Sequence, residues 1–269
     1  MALSTRLETE YNFCFCDNSA ISQHLSVSLT RQFIAQTAGD DVNMTDLQKW
    51  AMALLIWLLC ITASFLWIDR PVAFLVHTEL EGYRAIFDVT ARLPKVLGPL
   101  VVACTLLIGV WVVVGQRMTE IQTIIVISAL SWAVSDVPEN WLKFAFGRTW
   151  PDTWMQDNPS LIRDGVDNFN PFHGGPGFAA FPSGHMVAIC AIMSVYWIGY
   201  PRFRAIYAIC VAIPFLGLLG ANYHFVSDLI AGSFLGTLVG WTIVTLWNAG
   251  IRPVGHLPAL SPKSADKKI

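Results

Sequence analysis

Phe181-Pro182-Ser183-Gly184-His185 is a short polar bend that opens an apolar run from Met186 to Tyr200. Ser183 can act as an N-cap, the free N–H groups of such a helix start bind anions, and Gly184 lets an oxygen approach the backbone closely. Two further polar islands interrupt apolar sequence, Lys143 to Pro151 and Asn222 to Asp228. Whether the three meet depends on how often the chain crosses a membrane between them.

At 269 residues, 54% hydrophobic and only 13% charged, the chain has too little polar surface for a soluble fold of its size, so its composition is that of a membrane protein. A net charge of −2 and scattered basic residues argue against a nucleic-acid partner. Cys60, Cys104, Cys190 and Cys210 lie inside apolar runs, where a thiol acts as a small hydrophobe, so no disulfide framework is expected. Cys14 and Cys16 lack the neighbouring Cys or His pair that a metal site needs.

Residues 1–49 read as a polar cytoplasmic tail without the features of a cleaved signal peptide, and residues 249–269 as a second polar tail. Between them, residues 50–248 read as an all-α bundle of six transmembrane helices. Ala51 to Ile68 and Val96 to Gly115 are uncharged runs of bilayer-crossing length. Asp69, Arg70 and Pro71 are expected to end the first, and the mixed stretch from Val72 to Lys95 to lie along the membrane surface. Ile121 to Ser135 returns across the bilayer, with Asp136, Pro138 and Glu139 marking its exit. Ser183 to Tyr200, Phe203 to Tyr223 and Phe225 to Gly250 supply three further spans, after a long loop over 151–181 that is more often functional than idle.

Six spans put both termini on one side. The basic residues of the tails and short links, among them Lys49, Arg117, Arg202, Arg204 and Arg252, make that side cytoplasmic in an inner or plasma membrane. All three polar islands then fall on the opposite, extracytoplasmic face.

His224 and Asp228 are four residues apart, a spacing at which a helix presents both on one face and the carboxylate can orient the imidazole as a nucleophile. A satisfied pair at a helix end has the same spacing. His185, beside the anion-binding helix start, is placed to protonate a leaving oxygen. Lys143 and Arg148 match phosphate oxygens, or else snorkel to the membrane surface. Asp136 and Glu139 are candidates to hold one of these cations. His173 reads as an exposed loop residue, and no role is assigned to His24, His77 or His256.

This arrangement resembles the type 2 phosphatidic acid phosphatase superfamily, the membrane branch of the fold shared with vanadium haloperoxidases. Pro182-Ser183-Gly184-His185 matches its second motif completely. Lys143 and Pro151 match the first at the right spacing, with Gly147-Arg148 between them, and His224 and Asp228 match the third. Two arginines of the family pattern are absent: Trp150 stands at the first, and Gly217-Leu218 stands where the third motif has Ser-Arg. Arg148 and Arg163 are the expected substitutes. The resemblance implies hydrolysis of a lipid phosphate or diphosphate through a phosphohistidine on His224, with His185 as acid, Asp228 orienting, and Lys143, Arg148, Ser183 and Gly184 holding the phosphoryl oxygens. It implies no metal and no other cofactor. The same His-Asp pair would serve a lipid-linked phosphotransferase, and a non-catalytic lipid-binding protein that has kept the fold is the reading from another class.

Overall fold

The computed structural model describes residues 44–155 and 157–250; Cys14, Cys16, His24, His256 and most of the expected tails lie outside them. The chain divides into two units, 1–54 and 55–269. Of the first, residues 44–54 are described and are helical. The second holds the remaining helices.

Among the described residues the chain is all-helical, with isolated bridges in place of strands. Helix α1 (Met44–Ala63) passes through a π-helical turn (Ser64–Ile68) into α2 (Asp69–Glu79). A 3-10 turn (Glu81–Tyr83) leads to α3 (Arg84–Ala91) and, across Arg92, to α4 (Leu93–Val113). Then follow α5 (Glu120–Phe146), the short α6 (Leu161–Asp164), α7 (Gly184–Gly199), α8 (Arg204–Gly220) and α9 (Val226–Asn248).

Among the described residues five helical stretches are long and apolar enough to cross a membrane, Gln48–Glu79, Glu81–Val113, Glu120–Phe146, Pro201–Gly220 and Val226–Asn248, and the chain is an integral membrane protein. The sixth expected span is α7, apolar but only 16 residues long. At 1.5 Å per residue it covers about 24 Å, less than the ~30 Å of a hydrocarbon core. Its solvent is protein. Met186, Val187, Ile189, Cys190, Ala191, Ile192 and Val195 are all buried, and α4, α5, α8 and α9 pack around it.

The contact between α7 and α9 depends on a ladder of glycines. A Cβ on Gly232 would lie 2.4 Å from the Ser183 carbonyl, one on Gly236 2.2 Å from that of Val187, and one on Gly240 1.9 Å from the Ser194 hydroxyl. Small residues at four-residue spacing let two helices approach backbone to backbone, which is how membrane helices pack without a hydrophobic driving force between them. The outer surface is the reverse: Leu58, Leu59, Leu66, Trp67, Leu106, Leu107, Val110 and Val113 are exposed large apolar groups, suited to lipid.

Three boundaries differ from the sequence expectation. Asp69-Arg70-Pro71 does not end the first helix, which continues to Glu79. The π turn, where the Asp69 N–H bonds the Ser64 carbonyl, is the local adjustment that carries the helix past Pro71, and buried Asp69 is neutralised from within. The stretch from Val72 to Lys95 is not a free surface segment: it completes α2, forms α3 and starts α4, with α3 packed on α8. Likewise α5 runs ten residues past Asp136 to its C-cap at Gly147, because Asp136 and Glu139 face a cavity and do not need bulk water.

Candidate active site

The three polar islands meet at one end of the bundle, around a cavity of ≈ 830 Å³. Lys143 reaches it from the last turn of α5, Gly184 and His185 from the first turn of α7, and His224 from the link between α8 and α9. The rings of His185 and His224 face each other with centroids 6.5 Å apart, inclined at 66°. His224 is only 4% exposed, so the cavity is its access to solvent.

His224 lies two residues before α9 begins, so it and Asp228 are not an intrahelical pair as their spacing predicts. Asp228, in the first turn, accepts a hydrogen bond from the Phe225 N–H at 3.0 Å, and this folds the link back over the helix start. It thereby brings the carboxylate within 3.5 Å of His224 Nδ1, an ion-pair distance without hydrogen-bond geometry, and Nδ1 has no other partner. Nε2, across the ring from Nδ1, is then the nitrogen left for chemistry.

Arg148 is not in the cavity wall. Gly147, in the left-handed region at φ 55° with the Asn170 carbonyl against it, ends α5 and turns the chain inward. There the fully buried Arg148 guanidinium donates to Asp228 at 2.6 Å, Ser227 at 2.6 Å, Asp69 at 2.9 Å and Asp167 at 3.2 Å. Phe65, Phe169 and Phe225 enclose it. Burial alone would lower its pKa, but Asp228, Asp69 and Asp167 together raise it above the ordinary arginine value, so it stays charged. Its partners are committed within the protein, and it holds Asp228 where a phosphate ligand was expected. Arg163 is also engaged elsewhere, with Asp157 at 2.7 Å and Asp164 at 2.8 Å.

Lys143 does line the cavity, anchored to Glu139 at 2.6 Å one helical turn earlier. Its ammonium sits directly against the start of α7: a Cβ on Gly184 would lie 2.2 Å from Glu139 Oε1 and 3.1 Å from Lys143 Nζ. Glycine is required there for the cation and the free helix N–H groups to share one space. Ser183 is the N-cap by position but makes no side-chain cap bond; its hydroxyl is buried and unpartnered, while its N–H donates to the Asp228 carbonyl at 3.1 Å. His173 stays in the exposed loop, ring to ring with Phe178.

The residues at the positions of the absent arginines also face the cavity. Trp150 is buried, donates its indole N–H to the Pro176 carbonyl at 2.8 Å, stacks edgewise on Trp154, and lies 5.1 Å from the His224 ring. Leu218 is packed in the core beside Ala91, Met186 and Leu229. Sequence reasoning missed Arg92, Lys95, Trp154 and Tyr223 in the wall. For the two cations a signal existed, since they stand where a mixed stretch passes into an uncharged one. An adjoining crevice of ≈ 380 Å³ continues along Trp132, Ala133 and Ser135 of α5 and Ala188 of α7.

One metal-compatible group occurs among the described residues, His77, Glu81 and Asp152, with ligand atoms within 4.8 Å of one another. Arg84 already bonds both carboxylates, at 3.3 and 3.1 Å, and none of the three lines the cavity.

Residues 124–252 match the PAP2 superfamily. One solved structure that is similar to the chain is a transmembrane PAP2 type phosphatidylglycerolphosphate phosphatase from Bacillus subtilis, at 14% identity and a TM-score of 0.49, over 76% of this chain and 97% of that one. No curated protein matches the sequence.

Proposed function

We propose, from the premise that this chain is a PAP2-superfamily protein over residues 124–252, that it is a membrane phosphatase acting on a lipid phosphate or diphosphate through a phosphohistidine. The observation that carries this reading is the pair of imidazoles on one cavity wall, 6.5 Å between centroids, beside Lys143 and the glycine-opened start of α7.

In the first step His224 Nε2 attacks phosphorus, the P–N bond forms, and the bond to the lipid oxygen or leaving phosphate breaks. His185 gives that oxygen its proton. Asp228, fixed by Arg148 and the Phe225 N–H, faces Nδ1 and offsets the positive charge that grows on the ring. In the second step His185 takes a proton from water, the oxygen attacks phosphorus, and the P–N bond breaks to release phosphate. Lys143 and the N–H groups at the start of α7 offset the charge on the equatorial oxygens, the work that metal ions do in other phosphoryl transfers. The crevice along Trp132 and Ala188 supports a substrate whose apolar tail stays between helices while its headgroup enters the cavity.

The basic residues of the tight links, Arg117, Arg202 and Arg204, support a cytoplasmic assignment for the end opposite the cavity, hence an extracytoplasmic active site and cytoplasmic termini. Labelling of single cysteines in those links with a membrane-impermeant reagent tests this; labelling in intact cells contradicts it.

The test of activity is phosphate release by detergent-purified protein from phosphatidate, phosphatidylglycerophosphate and prenyl diphosphate, beside His224→Ala. Release that is lost in the variant is expected. Release that survives removes the nucleophile, and consumption of lipid phosphate without inorganic phosphate would identify a phosphotransferase. Trp150 and Leu218 give specific support to a lipid-binding protein without turnover, and the outcome that favours it is tight binding of these lipids with no consumption.

A further inference from the structure

A phosphoryl group entering this cavity needs more positive charge than Lys143 supplies, because Lys143 is already paired with Glu139 at 2.6 Å. Arg148 and Arg163 are committed to carboxylates outside the cavity. The cations left in the wall are Arg92 and Lys95. Among the described residues neither has a carboxylate within ion-pair distance. Three acids share the wall: Glu139 holds Lys143, Asp88 lies against the Tyr223 hydroxyl, and Asp136 is exposed.

The packing explains how Arg92 arrives there. A Cβ on Gly217 would lie 2.5 Å from the Ala91 nitrogen, and one on Gly220 2.4 Å from the Phe87 ring. These glycines let the C-terminal end of α3 seat directly on α8, with Ala91 against Leu218. Arg92, the hinge between α3 and α4, is the next residue, and it is within electrostatic range of Tyr223. Lys95, one turn into α4, is within electrostatic range of His185. Where the family resemblance expects a serine and an arginine on α8, this chain has a glycine and a leucine. Against that glycine and leucine packs the end of α3, and the residue that follows it is a cation.

We propose that Arg92 and Lys95 are the phosphate-binding residues that take the place of the two absent arginines. Both lie outside the matched segment 124–252. The ligand chemistry is a phosphoryl dianion, whether the headgroup of a lipid or free phosphate. This rests on the phosphatase reading for its substrate, but binding can be measured without turnover.

The experiment titrates purified protein with inorganic phosphate, following tryptophan fluorescence because Trp150 and Trp154 share the wall, and separately measures kcat and KM on a lipid phosphate. Loss of one charge-assisted contact corresponds to about a 10- to 100-fold weaker affinity. Arg92→Ala and Lys95→Ala are each expected to weaken phosphate by that factor, and Arg92→Lys by less. Both residues are exposed, so truncation is expected to leave the melting temperature near that of the parent. Phosphate affinity and kcat/KM unchanged in both alanine variants would overturn the proposal. If His224→Ala is inactive while Arg92→Ala and Lys95→Ala match the parent, this inference falls and the phosphatase reading stands. If the parent shows no turnover but phosphate affinity depends on Arg92 and Lys95, the opposite holds.

Discussion

Replacing Arg148 by methionine separates a structural cation from a substrate-binding one. The parent guanidinium is fully buried and makes four polar contacts of 2.6–3.2 Å, three of them to Asp69, Asp167 and Asp228. Methionine fills much of the volume against Phe65, Phe169 and Phe225 but leaves Asp69 and Asp228 without their cation, while Asp167 keeps Arg70 at 4.0 Å. Removing one partner of a buried ion pair costs about 3–5 kcal/mol, and with two acids uncompensated the upper end applies. At roughly 2–4 °C per kcal/mol for a domain of this size, the melting temperature falls by about 10–20 °C. Arg148→Lys keeps the charge but not the fork that reaches Asp228 and Asp69 at once, so its loss is intermediate. The assay is thermal unfolding in detergent, followed by tryptophan fluorescence, with steady-state kinetics on the surviving fraction. In the methionine variant turnover falls as well, because Asp228 loses the contact that holds it by His224. A variant that melts with the parent and shows only a raised KM would refute this reasoning, since that is how a phosphate ligand behaves.

Gly184→Ala is expected to leave stability near the parent's, because the added Cβ meets only the ends of Glu139 and Lys143, while kcat/KM falls about tenfold or more as that pair is pushed out of the anion site; unfolding curves and kinetics on the same preparation check both halves. Gly236→Ala sets a Cβ 2.2 Å from the Val187 carbonyl, where backbone must move, so a loss of about 1–3 kcal/mol is expected and is read as an earlier thermal transition. Orthovanadate, which mimics the trigonal-bipyramidal phosphoryl species, is expected to inhibit phosphate release competitively; indifference at millimolar concentration contradicts the proposed site.

The residues of the cavity were legible where a local pattern encodes their placement. Pro182-Ser183-Gly184-His185 announces a helix start, and counting apolar runs puts it on the same end as Lys143 and His224. The count survives although α7 is short, because a helix buried in protein keeps its apolar sequence while shedding length. Arg148 was not legible. Its sequence neighbours point to a phosphate, and its actual partners lie 79, 80 and 19 residues away, brought together by the inward turn at Gly147 and by the continuation of the first helix through Asp69. Acidic residues such as Asp69, Asp136 and Glu139 imitate helix stops in a one-dimensional reading when their counter-charge lies within the protein or they open onto a cavity. The role of Gly217 and Leu218 was hidden for the same reason. Read along the chain they are a lost arginine, and only the packing of α3 on α8 shows what occupies the place.

The central claim is that His224 carries the phosphoryl group between two steps, and trapping that species tests it most directly. Protein mixed with a lipid phosphate labelled at phosphorus, quenched in alkali within milliseconds and digested, is expected to hold an acid-labile label on the peptide containing His224, and to hold none in His224→Ala. Label on another residue, or turnover with no protein-bound phosphorus at any time point, contradicts the account.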